Sequence, residues 1–349
     1  MLTKNAHKKE NGQFFTITNP FFVSIFYKWF ELIPKDDRQV ILEPFAGSNN
    51  IVKLVNELSV GGKEEKKFKC FDIDISHENQ YPECQIEQRD TIANYPTGYH
   101  VAITNPPYLA RNSATRNGLN YPDTIYDDLY KLCLDVMLSN TEYVAAIIPE
   151  SFITSELFLD RLYAAVSLTC KMFDDTDCPV CLALFVPNDV KISIYKDPSD
   201  FVLYRMDKKI GLRTAIKKKE NNITKHKEKI TWVFNDKEGV VGIQCIDNTK
   251  RPTIRFVMGE TIDQSKIKVS SRSLTRVSGL PEDIDVNEFI DMCNVVLGEY
   301  RTATSDICLT SFKGLRDDTM YRRRLDFKTA KLIMNAAIYR IRRIHNGKQ

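Results

Sequence analysis

Five short apolar runs in the first 150 residues decide most of what this chain can become. They are QVILE (Gln39 to Glu43), FKCFDIDI (Phe68 to Ile75), CQIEQRD (Cys84 to Asp90), HVAIT (His100 to Thr104) and YVAAII (Tyr143 to Ile148). Runs this short, rich in Val and Ile and bounded by polar or turn residues, predict strands. Between them lie segments with helical spacing, at Asn50 to Ser59 and Thr124 to Ser139. Near-continuous apolar strands alternating with helices predict a parallel sheet covered on both faces, an α/β fold. The stretch FFVSIFYKWF (Phe21 to Phe30) follows Asn19-Pro20 and contains Lys28, so it reads as a core helix begun by a proline. GGKEEKK (Gly61 to Lys67) reads as a polar surface loop. After SELFLDRLYAAV, the segments SLTCKMF and VCLALFV flank DDTDCP and read as a hairpin closing the sheet.

Beyond about residue 187 the character changes. YKDPSD and NDKEG are turn signals between short strands, and Val286 to Tyr300 and Leu325 to Ile344 are helical by period. A domain boundary is therefore expected near Pro187 to Asp189, giving domains at 1–188 and 189–349. Charge divides in the same place. Residues 1–190 hold 17 Lys+Arg and 26 Asp+Glu, whereas residues 191–349 hold 32 and 20, within a net charge of only +3. An acidic half joined to a basic half is a recognised sign of nucleic-acid binding by the basic part, although charged runs are also ordinary solvated faces. No apolar run reaches the ~18 residues a membrane span needs. Nine scattered cysteines without a framework point to reduced thiols and a cytoplasmic protein. Cys178 and Cys181 form a C-x-x-C with no second ligand pair nearby, so no metal site is expected.

Three strand ends carry chemistry. ILEPFAGSNNI turns from a strand through Gly47 into a helix, the place where a doubly wound sheet holds a nucleotide-like ligand. There is no G-x-G-x-x-G, so a dinucleotide site is poorly supported, and a plain capped turn is an equal reading of this stretch alone. Asp72 follows Gly47 by 25 positions, close to the ~20-residue spacing at which an acid meets ribose hydroxyls. Asp74 is the neighbouring option, and Asp90 ends the third run. Each acid alone is more often a cap or turn residue; three at successive strand ends favour a ligand bearing ribose and adenine. The fourth run stops on TNPPY. Its prolines remove two N–H groups and stiffen the loop, while Asn105 offers a carbonyl acceptor and Tyr108 an aromatic plate. Such a site suits a planar group bearing an NH₂.

The order GQFFT, EPFAG, FDID, RD and TNPPY, followed by IIPESFITS and KMFDDTDCPVCLALF, resembles the gamma class of DNA amino-methyltransferases over roughly residues 12–186. The resemblance implies a Rossmann-like, mostly parallel sheet with an antiparallel hairpin, and a smaller mixed α+β carboxyl-terminal domain that recognises the DNA target. It implies S-adenosylmethionine as cofactor. Thr16 and the turn containing Glu43, Phe45 and Gly47 would hold its methionine part, Asp72 its ribose and Asp90 its adenine. Asn105 and Pro106, stiffened by Pro107, would accept hydrogen bonds from the amine of an adenine flipped out of duplex DNA, with Tyr108 stacking on the base and Phe173 as second contact. The product would be N6-methyladenine, in a restriction-modification setting with a cognate endonuclease acting on the same site; many members of the class act as monomers. RNA adenine, protein glutamine and cytosine N4 are the alternative targets. Ser48-Asn49 replaces the second glycine of many relatives, and Asn49 is expected to supply the unusual backbone angle. Arg111, Arg116, Lys217, Lys218, Lys219, Arg322, Arg323 and Arg324 are candidates for phosphate contacts.

Overall fold

Each of the five apolar runs forms a strand in the computed structural model, which describes residues 14–58 and 66–347. Gly12, Gln13 and most of the GGKEEKK loop lie outside the described residues. Strands β1 (Val40–Glu43), β2 (Lys67–Asp72), β3 (Ile86–Gln88), β4 (Val101–Thr104) and β5 (Tyr143–Pro149) pair in parallel in the order 3-2-1-4-5. The register is set by apolar partners: Ile41 lies opposite both Phe68 and Val101, and Ile103 opposite Ala145. β4 and most of β5 are buried, which is why they read as unbroken apolar runs rather than alternating ones. The chain moves outward from β1 through β2 to β3, then returns to β4 on the other side. That reversal opens a crevice at the carboxyl ends of β1 and β4.

The sheet continues through β7 (Val180–Phe185), antiparallel to both β5 and β6 (Leu162–Ser167). The expected hairpin is present, but its first strand is Leu162–Ser167 rather than SLTCKMF. Every residue of Leu162–Ser167 is buried, and the left-handed angles of Glu156 and Phe158 break any helix leading into it. Helix α1 (Ser24–Glu31) buries Ile25, Phe26, Trp29 and Phe30, and the Trp29 indole donates to the Phe185 carbonyl at 2.8 Å. Removing a ring so placed costs about 3–5 kcal/mol.

Helix α2 (Asn50–Asn56) follows β1. After TNPPY, Arg111–Arg116 forms a short helix, α3. Helix α4 (Leu129–Asn140) starts five residues later than its spacing suggests. Residues 124–128 are tied back to the loop after β4: the Arg111 guanidinium donates to the Thr124 and Tyr126 carbonyls, and Leu109 N–H donates to Asp128 Oδ1.

The chain divides into two compact units between Gly211 and Leu212, not near residue 188. Helix α5 (Asn188–Ile194) is followed by β8 (Val202–Arg205), which pairs in parallel with β6, and by β9 (Lys208–Leu212) at the sheet edge. Backbone pairing thus carries the first unit some twenty residues past the turn that looked like a linker.

The second unit contains helix α6 (Arg213–Ile223) and an antiparallel sheet of β10 (Val233–Phe234), β11 (Val241–Gln244), β12 (Arg255–Met258) and β13 (Leu274–Ser278). It is completed by helix α7 (Val286–Thr304), the pair β14 (Thr310–Leu315) and β15 (Tyr321–Arg324), and helix α8 (Phe327–Asn346). Asp285 and Asp326 cap α7 and α8 by accepting main-chain N–H bonds. Trp232 and Phe289 stack in its core, which also holds Tyr300, Ile333 and Ile338. No helix among the described residues is long and apolar enough to cross a membrane.

Candidate active site

A cleft opens at the crevice and is lined by Thr16, Phe45, Gly47, Asp72, Asp90, Asn105 and Pro107, among others. Seven residues chosen from sequence, spread over ninety positions, therefore meet in one place.

The turn after β1 is built by backbone geometry. Gly47 has φ +53° and Asn49 φ +60°, so Asn49 takes the left-handed conformation expected of it. Gly47 N–H donates to Asp72 Oδ2 at 2.7 Å, and Asp74 N–H donates to Asp72 Oδ1 at 2.9 Å. These bonds hold the Asp72 carboxyl at the tip of β2, where burial raises its pKa and each oxygen keeps a further acceptor position. Asp74 does not line the cleft; its Oδ1 accepts from Ser76 N–H. Asp90 Oδ1 accepts from Ile92 and Ala93 N–H, ending β3 in a turn.

Glu43 stands behind this wall rather than in it. It is fully buried, accepts from Thr104 Oγ1 and from Phe45 N–H, and burial pushes its carboxyl up to about 8. Its Oε2, like the Thr16 Oγ1 and Asn49 Oδ1, is a buried polar atom without a hydrogen-bond partner. Buried polar atoms are ordinarily paired. Of the three residues only Thr16 lines the cleft, and its unpaired oxygen fits a polar ligand there.

Of TNPPY, Asn105 and Pro107 line the cleft, whereas Thr104 and Pro106 are buried and do not. Asn105 Oδ1 accepts from the Tyr108 hydroxyl at 2.5 Å, and that hydroxyl also reaches the Ile147 carbonyl at 2.6 Å. Asn105 Nδ2 donates to the Phe14 carbonyl at 2.5 Å. Burial raises the Tyr108 pKa well above its ordinary value, so the phenol stays protonated and donating. Tyr108 is buried and does not line the cleft. Three rings meet beside Asn105: Phe14 and Tyr108 at 5.4 Å between centroids, Phe14 and Phe173 at 5.7 Å, and Tyr108 and Phe173 edge-on at 6.2 Å. Tyr108 and Phe173 are neighbours; Phe173 is fully buried and does not line the cleft, and Phe14 covers both rings.

Phe14 and Phe15 were missed by sequence reasoning, which took only Thr16 from this segment. A Cβ on Gly47 would lie 2.7 Å from the Phe15 ring, so Phe15 roofs the glycine turn. Asn50 Nδ2 donates to the Thr16 carbonyl at 3.0 Å. The signal was the pair of aromatics in GQFFT, but the contacts span long separations that no local pattern reveals.

The basic candidates separate. Lys217, Lys218 and Lys219 are exposed on α6, and Arg116 is exposed on α3. Arg111 is exposed as well, but its guanidinium is occupied by two loop carbonyls and the Tyr121 ring. Arg323 is 1% exposed and cannot reach a phosphate. Arg322 donates to the Asp247 carbonyl at 2.8 Å and lies over Phe312. Arg324 lines a small recess with Arg272 and Lys328.

No protein-family model matches the chain, and no curated protein matches it. Solved structures align with part of its length at low similarity. The type I restriction-modification methyltransferase subunit from Streptococcus thermophilus is 14% identical, with 55% of this chain and 47% of that chain covered at a TM-score of 0.36. The type I restriction enzyme EcoKI M protein is 13% identical, covering 55% and 48% at 0.38. The 23S rRNA methyltransferase ErmE is 11% identical, covering 50% and 71% at 0.30. The chain spans about half the length of the first two.

Proposed function

We propose that the chain is an S-adenosylmethionine-dependent DNA methyltransferase that modifies the exocyclic amine of adenine. The carrying observation is the convergence of Gly47, Asp72 and Asp90, from three successive parallel strand ends, with Asn105 and Pro107 on one cleft. Asp72, with acceptor positions left over, would take the ribose hydroxyls, and Asp90 with its neighbours Thr91 and Ile92 would take the adenine. Thr16 and the Phe45–Gly47 turn would hold the amino-acid part, where the unpaired oxygen of Thr16 calls for a polar partner. When bound, the cofactor supplies an electrophilic methyl on a sulfonium.

An aromatic amine is a weak nucleophile because its lone pair is delocalised into the ring. Asn105 Oδ1 and the Pro106 carbonyl, accepting both of its hydrogens, draw the nitrogen toward tetrahedral geometry and localise that pair. The prolines hold the two acceptors still, so the residues act by orientation. In the structure Asn105 Oδ1 is occupied by the Tyr108 hydroxyl, which can turn its proton wholly to the Ile147 carbonyl and release the acceptor. A base unreachable inside the duplex must be extruded to arrive there. The second unit, with 27 Lys+Arg against 17 Asp+Glu, supplies the phosphate-binding surface of a target-recognition domain, and Lys217 to Lys219 are its exposed candidates.

The test is incubation of the protein with tritiated cofactor and unmethylated genomic DNA, total RNA, or a protein extract. Label in DNA supports the proposal. Label in RNA or protein alone overturns the substrate, and no cofactor binding by calorimetry overturns the whole reading.

A further inference from the structure

The Phe14 ring lies against Tyr108 at 5.4 Å, with the planes 30° apart, and touches Phe173 at 5.7 Å. The pair is tilted rather than parallel, and the Phe14 ring, which lines the cleft, covers the Tyr108 face on which a purine would lie. The backbone on its carboxyl side is held firmly. Thr16 bridges Phe173, Ile17 N–H donates to the Met172 carbonyl at 3.0 Å, Thr18 Oγ1 donates to the Lys171 carbonyl at 2.6 Å, and Asn50 holds the Thr16 carbonyl. The Phe14 carbonyl accepts from Asn105 Nδ2. The nitrogen and oxygen of an amide lie on opposite branches of one plane, so fixing Nδ2 also fixes where Oδ1 points.

We propose that Phe14 is a positioning residue for methyl transfer, its carbonyl setting the Asn105 amide with Oδ1 toward the reacting amine and its ring filling the base slot until the target base displaces it. This rests on the function proposed above. Two observations carry it independently. The ring occupies the stacking partner's place beside Tyr108, and the backbone oxygen occupies the one donor on Asn105 that must not face the substrate. The segment that roofs Gly47 through Phe15 therefore also roofs the base slot through Phe14. Displacing the ring is a cost that each flipped base meets on entry, and it selects for bases that stack well enough on Tyr108 to replace it.

The test uses Phe14→Ala and Phe14→Trp in the full chain, with Phe14→Leu in place of Ala if that variant fails to fold. KM and kcat for DNA are measured, and binding is followed on a duplex whose target adenine is replaced by fluorescent 2-aminopurine. Losing the ring should lower KM and the 2-aminopurine midpoint by about fivefold to tenfold, the size of one aromatic pair, and Trp should raise both. The kcat should change less than KM, because the Phe14 carbonyl is retained. If both variants leave KM and the midpoint within twofold of the wild type while the melting temperature falls, Phe14 is only a structural wall and the inference fails. If the wild type moves no methyl group to DNA, the functional reading fails and takes this inference with it.

Discussion

Glu43 offers a perturbation whose size follows from its position. It ends β1 with no exposed surface, and burial lifts its carboxyl from 4.5 to about 8. The folded state therefore holds this proton more tightly than the unfolded chain does. Its contribution to stability is fully present below pH 4.5 and is lost as pH rises through about 8. Each pH unit in that window is worth about 1.4 kcal/mol, which sets a ceiling near about 5 kcal/mol, and relaxation of the site reduces it to roughly 2–4 kcal/mol. Asp72 and Asp128 are raised by burial too, so only the difference between wild type and a Glu43 variant isolates the effect. Glu43→Gln keeps an acceptor for Thr104 and Phe45 but removes the titration. An amide NH₂ where Oε2 now lies unpaired costs about 1 kcal/mol. The variant should thus be slightly less stable than wild type at pH 5 and more stable at pH 9, with the curves crossing between. Urea unfolding followed by tryptophan fluorescence reads this. The chain has two tryptophans, Trp29 and Trp232, and a Trp232→Phe background leaves Trp29 to report on the first unit alone. A difference that stays flat from pH 5 to pH 9 would refute the reasoning, because Glu43 would then be ionised throughout or reached by water.

Other expectations follow from the same geometry. Asp72→Ala should weaken cofactor binding about tenfold to a hundredfold by calorimetry, since a carboxylate hydrogen bond is worth about 1.5–3 kcal/mol and the Gly47 N–H loses its acceptor. Gly47→Val should lower the melting temperature and abolish cofactor binding, because φ +53° is strained for a branched residue and its Cβ meets the Phe15 ring. Replacing Lys217, Lys218 and Lys219 together by Ala should flatten the logarithmic salt dependence of DNA binding by up to roughly three, while Arg323→Gln should destabilise the second unit and leave that slope unchanged.

The parallel sheet was readable because burial on both faces leaves unbroken apolar runs, and strand ends were readable because acids interrupt them. Asp72, Asp90 and Asn105 could be placed for that reason: each stands where a strand stops, and strand ends in such a sheet share one edge. Glu43 obeyed the same rule but lies a layer deeper, since the turn at Phe45 rather than the strand's last residue faces the cleft. Arg323 misled because a basic triplet looks like a solvated face. In β15 side chains alternate, and Tyr321 and Arg323 point inward together, so the period of two beside a buried tyrosine was the missed signal. The late start of α4 and the role of Phe14 depend on contacts from Arg111 and Asn105 to residues far along the chain, which helical or strand period cannot report.

The central claim is that the Asn105 site methylates the amine of adenine in DNA. It is tested most directly by digesting DNA from a host expressing the protein and quantifying modified nucleosides, with Asn105→Ala beside the wild type and long-read sequencing to place the modified sites. N6-methyladenine at a defined sequence with the wild type, and none with the folded Asn105→Ala variant, is the predicted result. Modified cytosine, an absence of modified adenine with the wild type, or N6-methyladenine undiminished in the variant would contradict it.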